Sequence, residues 1–224
     1  MTDAAPVRLA VFDCDGTLAD SQANICVACE QAFAVSGLAA PSREAIRRIV
    51  GLNLVEAMQV LAPAAGDAAH RQLAQDYRDA FLGMRSSGAL ADEPLFEGMI
   101  ATLTALRAAG WVLGVATGKS DRGLAHLLAY HGIADRFVTL QTADRHPSKP
   151  DPAMLAAAIA EAGATPATTV MIGDTSFDMA MARAAGVRAI GVAWGYHEPH
   201  ELIEAGAHAV ATRVGDLPAL METV

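Results

Sequence analysis

The chain has almost no lysine: among its 224 residues, Lys119 and Lys149 stand against fourteen arginines. Acidic residues outnumber basic ones 25 to 16, which leaves a formal net charge of -9. A chain this acidic cannot neutralise a phosphate backbone over a broad surface, so nucleic acid is not an expected partner. An anionic small molecule would have to be gripped by a few local groups and not by a general positive field. Aromatics contribute only 5% while hydrophobic residues reach 53%, so the core must be built from Ala, Leu, Val, Ile and Met. Such a composition argues against disorder and suits helices packed closely on a sheet. No run of eighteen apolar residues occurs, and the first residues carry no basic region followed by an apolar stretch. We therefore expect a soluble, cytoplasmic protein with no membrane partner. Cysteine is limited to Cys14, Cys26 and Cys29, an odd number that fits a reducing compartment. Cys26-x-x-Cys29 lacks the second pair needed for four metal ligands. Both residues fall in a helical pattern, where a small thiol packs well in a core. The oligomeric state is not readable from the chain.

What is present is organised around Val7-Arg8-Leu9-Ala10-Val11-Phe12-Asp13-Cys14-Asp15-Gly16-Thr17-Leu18. An apolar run reads as a buried parallel strand. It stops on two carboxylates one residue apart, then on a glycine that allows a sharp turn. From residue 18 to 93 the pattern is helical with no convincing strand. Ile25, Cys29 and Phe33 share a helix face, Ser42 caps a second helix, and Asn53 with Glu56 opens a third. Leu73, Tyr77, Phe81 and Met84 line a fourth. From Pro94 onward helices and strands alternate, with strands predicted at 111–116, 137–141, 168–172, 189–193 and 208–211. Alternation of this kind implies right-handed βαβ units and a parallel sheet covered on both faces. The expected fold is thus α/β, a Rossmann-like three-layer sandwich. Residues 1–17 and 94–224 would form its core, and 18–93 an inserted all-helical cap.

Four strand ends carry polar groups: Asp13 and Asp15; Thr117 and Gly118; Lys149 in the loop beyond the third strand; and Asp174 with Asp178. Open α/β sheets keep their ligand crevice at this edge. Crowded carboxylates repel one another unless a cation is present. Mg²⁺ takes oxygen ligands, commonly one or two carboxylates plus substrate phosphate and water. The constellation therefore points to Mg²⁺ and a phosphorylated ligand. Lys119 is read as a solvated or crevice-rim residue, and His197 and His200 as loop surface.

In order along the chain, Asp13-x-Asp15-Gly16-Thr17, Thr117, Lys149 and Gly173-Asp174-x-x-x-Asp178 resemble the four motifs of the haloacid dehalogenase-like hydrolases. The likeness extends to the branch with a helical cap after the first strand. That resemblance implies Asp13 as the nucleophile that forms an aspartyl-phosphate, and Asp15 as the acid that protonates the leaving alcohol and then activates water. Thr117 and the Gly118 amide would hold phosphoryl oxygens, and Lys149 would offset negative charge. Mg²⁺ would be held by Asp13, the Asp15 carbonyl and Asp174, with Asp178 as a further ligand or a support behind the ligands. The metal-binding set argues against a dehalogenase, and the absence of lysine between 18 and 95 argues against a Schiff-base phosphonatase. Leu18-Ala19-Asp20-Ser21 and Leu95-Phe96-Glu97-Gly98 look most like phosphoglycolate phosphatase-type members. Hydrolysis of a small phosphorylated metabolite is the expected reaction, with 2-phosphoglycolate a candidate. A phosphosugar mutase of the β-phosphoglucomutase type is the alternative, and a non-catalytic regulatory member the remaining one. In the cap, Arg47 and Arg48 lie between two helices, and Arg48 is the candidate for a substrate carboxylate.

Overall fold

The computed structural model describes residues 5–224. Strand β1 (Arg8–Phe12) lies at the centre of a six-stranded parallel sheet. The other strands are β2 (Trp111–Thr117), β3 (Phe137–Thr142), β4 (Thr169–Gly173), β5 (Arg188–Val192) and β6 (Ala209–Ala211). Their order is β3-β2-β1-β4-β5-β6. The chain winds outward from β1 through β2 to β3, then crosses back to β4 and winds the other way. The switch in direction therefore falls between β1 and β4, where Phe12 is paired with Ile172. In sheets of this type that is where a ligand crevice opens.

Side chains alternate across each strand, and β1 shows the consequence for the core. Ala10 and Phe12 face one layer, formed with Met99, Leu103 and Leu106 of α5 (Met99–Ala108) and with α6 (Asp121–Tyr130). Leu9 and Val11 face the other, with Met154, Leu155 and Ala158 of α7 (Ala153–Ala162) and Met179 and Met181 of α8 (Ser176–Ala184). Leu202 of α9 (Pro199–Ala205) joins that second layer, and Leu217 and Met221 of α10 (Leu217–Met221) join the first. Burying each of the larger side chains is worth about 2 kcal/mol, and the four residues of β1 that are buried, Leu9–Phe12, are all apolar.

Helices α1 (Gln22–Val35), α2 (Arg43–Arg48), α3 (Leu54–Leu61) and α4 (Asp67–Ser87) intervene between β1 and α5. They enclose an apolar cluster of their own, with Ile25, Cys29, Phe33, Ile46, Met58 and Leu73 at its centre. The Ser42 hydroxyl accepts from the Ala45 N–H, and the Asn53 side chain accepts from the Glu56 N–H. Each satisfies a backbone donor that the first helical turn leaves without a partner. Gly88 closes α4 in the left-handed conformation that glycine adopts without steric cost. All three cysteines are buried and unpaired. No helix of the described residues is long and apolar enough to cross a membrane.

Candidate active site

The carboxyl ends of β1, β2 and β3 open into a cleft of about 820 Å³ between the sheet edge and helices α1–α4. Asp13, Asp15, Thr117, Gly118 and Lys119 line it on the sheet side. Such a volume suits a small metabolite.

Asp13 follows β1 directly, and its N–H donates to the Ile172 carbonyl at 2.9 Å, which prolongs the β1–β4 ladder to the cleft floor. Lys149 is fully buried, and its Nζ lies 2.9 Å from Asp13 Oδ1 and 2.7 Å from Asp178 Oδ1. The Asp13 contact is an ion pair without hydrogen-bond alignment, so Oδ1 has no hydrogen-bond partner. Burial pushes the Asp13 carboxyl up to about 7, against the pull of Lys149, with the Asp178 and Asp15 charges adding to the rise. Burial alone would lower the Lys149 pKa, yet Asp13 and Asp178 hold its ammonium above the ordinary lysine range.

Asp174 follows β4. Its Oδ1 accepts from the Thr17 hydroxyl at 2.7 Å and its Oδ2 from the Tyr196 N–H at 2.9 Å. Burial raises its pKa well above the usual carboxylate value, and the charges of Asp13 and Asp178 raise it further. Gly16 passes so close that a Cβ there would sit 2.2 Å from Asp174 Oδ2, and its φ of +85° also favours glycine. Asp178 opens α8 in a reciprocal cap. Its N–H donates to the Thr175 hydroxyl oxygen, while its Oδ2 accepts from the Thr175 N–H and hydroxyl. It thus acts as a helix cap and as the second partner of Lys149. Carboxylate oxygens of Asp13, Asp174 and Asp178 all lie within 4.8 Å of one another. Three buried acids whose oxygens converge in this way form a donor set that fits a hard divalent cation.

Thr117 is buried at the end of β2, and its Oγ1 accepts from the Lys119 N–H at 3.2 Å. That leaves the hydroxyl proton free to donate into the cleft. A Cβ on Gly118 would press within 3.1 Å of the Gly51 carbonyl, so the closeness of the helical segment favours glycine here. Asn53 also ties that segment to the sheet edge, its N–H donating to the Ser148 hydroxyl at 2.8 Å.

Three placements differ from the sequence expectation. Arg48 does not join the cleft lined by Asp13. Its guanidinium is paired with Glu201 of α9, through Nη1 to Oε2 at 2.6 Å and Nη2 to Oε1. A carboxylate already on α9 and facing α2 captures it. His197 is buried and not on the loop surface. Its Nδ1 accepts from the Ser176 N–H at 3.1 Å, its Nε2 lies 3.2 Å from the Arg48 carbonyl, and burial lowers its pKa. Lys119 is no rim residue: its Nζ lies 2.6 Å from Asp15 Oδ1 and 3.6 Å from Glu93 Oε2. Burial would lower its pKa, but Asp15 and Glu93 hold it above the ordinary range.

The model of the haloacid dehalogenase-like hydrolases matches residues 10–192, and the chain belongs to that family. A protein of Dickeya dadantii named probable phosphatase IndB is 37% identical over 201 residues, 87% of this chain and 84% of that one. A phosphoglycolate phosphatase of Rhodospirillum rubrum is 32% identical over 194 residues, 84% of this chain and 80% of its relative. A haloacid dehalogenase-like hydrolase from Bacteroides fragilis, 27% identical, superposes with a TM-score of 0.86 over 94% of this chain and 99% of that one.

Proposed function

We propose that the protein is a Mg²⁺-dependent phosphomonoester hydrolase that works through an aspartyl-phosphate on Asp13. The observation that carries this reading is Asp13 itself: a buried carboxylate at the cleft floor, paired with Lys149 and within 4.8 Å of carboxylate oxygens of Asp174 and Asp178. Asp13 attacks phosphorus, the ester P–O bond breaks, and Asp15 protonates the departing alcohol. Asp15 then takes the proton of the water that displaces phosphate from Asp13. The Thr117 hydroxyl and Gly118 N–H hold phosphoryl oxygens, and Lys149 offsets their charge and that of Asp13. Asp13, Asp174 and the Asp15 carbonyl would hold Mg²⁺, with Asp178 as a further or supporting group. The ion would supply positive charge to the transferring phosphoryl group.

Residues 18–93 serve as the cap in this reading, closing the cleft over a small phosphorylated metabolite. The relative named phosphoglycolate phosphatase supports 2-phosphoglycolate as the first substrate to try. Three unpaired cysteines suit work in the cytoplasm.

The test is phosphate release from a panel of phosphorylated metabolites with Mg²⁺, repeated with EDTA. Activity should vanish with EDTA and return with Mg²⁺, and Asp13→Asn should lose more than about a thousand-fold in kcat. Release undiminished in Asp13→Asn would sink the reading.

A further inference from the structure

Lys119 is a charge lining the cleft that the proposed reaction leaves unused. Its side chain is 10% exposed, as is that of Asp15, and Glu93 is 16% exposed. The lysine is fixed at both ends. Its N–H donates to Thr117 Oγ1 at 3.2 Å, and its ammonium donates to Asp15 Oδ1 at 2.6 Å with Glu93 Oε2 behind it at 3.6 Å. Glu93 is fixed in turn. Its Oε1 accepts from Asn24 Nδ2 of α1 at 3.1 Å, and its carbonyl lies 2.8 Å from Nε2 of His131. A long flexible side chain held this way has given up its rotamer freedom. Asp15 takes no other side-chain hydrogen bond among the described residues, so its Oδ1 is occupied and its Oδ2 is left for the cleft it lines.

Two carboxylates share the single charge of Lys119. Its ammonium is held against Asp15, at 2.6 Å, so its role falls on the neighbouring acid. Resting on the reading of Asp13 as nucleophile and Asp15 as acid and base, we propose that Lys119 is the positioning residue of Asp15. It locks one carboxylate oxygen so that Oδ2 alone handles the proton. In the first step Asp13 oxygen bonds to phosphorus, the ester P–O bond breaks, and the leaving oxygen keeps the electron pair and takes the proton from Asp15 Oδ2. In the second step water oxygen bonds to phosphorus, its proton passes to Asp15 Oδ2, and the P–O bond to Asp13 breaks to release inorganic phosphate. Lys119 touches no reacting atom in either step.

The leaving group supplies the test. An alkyl alcohol needs the proton to depart, whereas p-nitrophenolate does not, and kcat/KM reports the step in which either leaves. With Mg²⁺ present, Lys119→Met should lower kcat/KM for an alkyl phosphate at least ten-fold more than for p-nitrophenyl phosphate. Lys119→Arg should restore most of the alkyl activity, and adding Lys119→Met to Asp15→Asn should cost nothing further on the alkyl ester. If Lys119→Met does not fold, Lys119→Gln fills the position without the charge and carries the same comparison. Equal losses on the two esters, or additive losses with Asp15→Asn, overturn the positioning role. Wild-type turnover of both esters, lost in Asp13→Asn, is the control. Its absence removes the phosphatase reading and this proposal with it, whereas parallel losses with the control intact overturn the proposal alone.

Discussion

Lys119 lines the cleft and Lys149 is buried behind Asp13 at its floor, each lysine between two carboxylates, yet the two corners are built differently. Lys149 is 0% exposed and its partners Asp13 and Asp178 are 1% and 0% exposed. Both partners belong to the sheet edge and the first turn of α8, so no part of that corner moves without breaking the core. Lys119 keeps some contact with solvent, and its second partner, Glu93, lies on the chain returning from the helical segment. Charges sealed from water interact strongly and are costly to separate, while charges near water are screened. The Lys149 corner should therefore carry stability as well as reactivity, and the Lys119 corner mostly reactivity.

The largest expected effect is at Lys149. Lys149→Met would leave Asp13 and Asp178 buried without their cation, and losing one member of a buried ion pair costs about 3–5 kcal/mol. Urea denaturation should show a loss of that size, and turnover should fall more than about a thousand-fold. The same measurement on Lys119→Met should show a clearly smaller loss of stability, because water can reach Asp15 and Glu93. Equal losses at the two lysines would break the comparison.

The next effect concerns acidity. Asp13, raised to about 7, and Asp174, raised well above its usual range, both favour the neutral carboxyl in the fold. Their folded-state pKa values exceed the unfolded ones. Their contribution to stability is therefore complete below about pH 4 and is lost as pH rises toward 7. Without divalent cations the melting temperature should fall between pH 5 and pH 7.5. Added Mg²⁺ should restore it most at pH 7.5, by about 2.7 kcal/mol at a hundred times its dissociation constant. Asp174→Asn should flatten the pH dependence and lose most of the Mg²⁺ gain, while Lys119→Gln should keep that gain. A Mg²⁺ shift that also disappears in Lys119→Gln would mean the two corners are not separate.

The same contrast explains what could be read in the sequence. All six strands were legible, because buried parallel strands are short apolar runs closed by turn residues, and each run was bounded in that way. The helices of 22–87 followed from their periodicity and from the caps at Ser42 and Asn53. The Lys149 corner was legible because Asp13 follows a strand, Asp178 opens a helix and Lys149 lies in the loop beyond β3, and the topology carries all three to one edge of the sheet. The Lys119 corner was not. Asp15 is 104 residues away and Glu93 lies in a linker with no periodic pattern, so nothing local announces the contact. The signal available was scarcity: in a chain with two lysines, one falls two residues after a strand end. His197 was missed because a polar loop reads as surface unless one knows that a helix terminus and the Arg48 carbonyl close over it.

Arg48 and Glu201 give the smallest effect and the sharpest contrast with Lys149. Their pair also joins the helical segment to the core, but the Arg48 side chain is 44% exposed. The Arg48 guanidinium holds the Glu201 carboxyl down to about 2, with help from the Glu198 N–H. A lowered folded pKa means that the stabilisation is present above about pH 4.5 and is lost as pH falls through about 2. Solvent screens the pair, so its worth is about 0.5–1 kcal/mol at neutral pH and low salt. Arg48→Ala should therefore cost that much in urea at pH 7, less in 1 M salt, and almost nothing near pH 2. Its kcat/KM should stay within about three-fold of wild type, because the guanidinium is held on α9 and away from the cleft floor. A fall of more than ten-fold, with stability nearly unchanged, would place Arg48 on the substrate. It would also show that an exposed ion pair here opens during turnover, as the sealed pairs of Lys149 cannot.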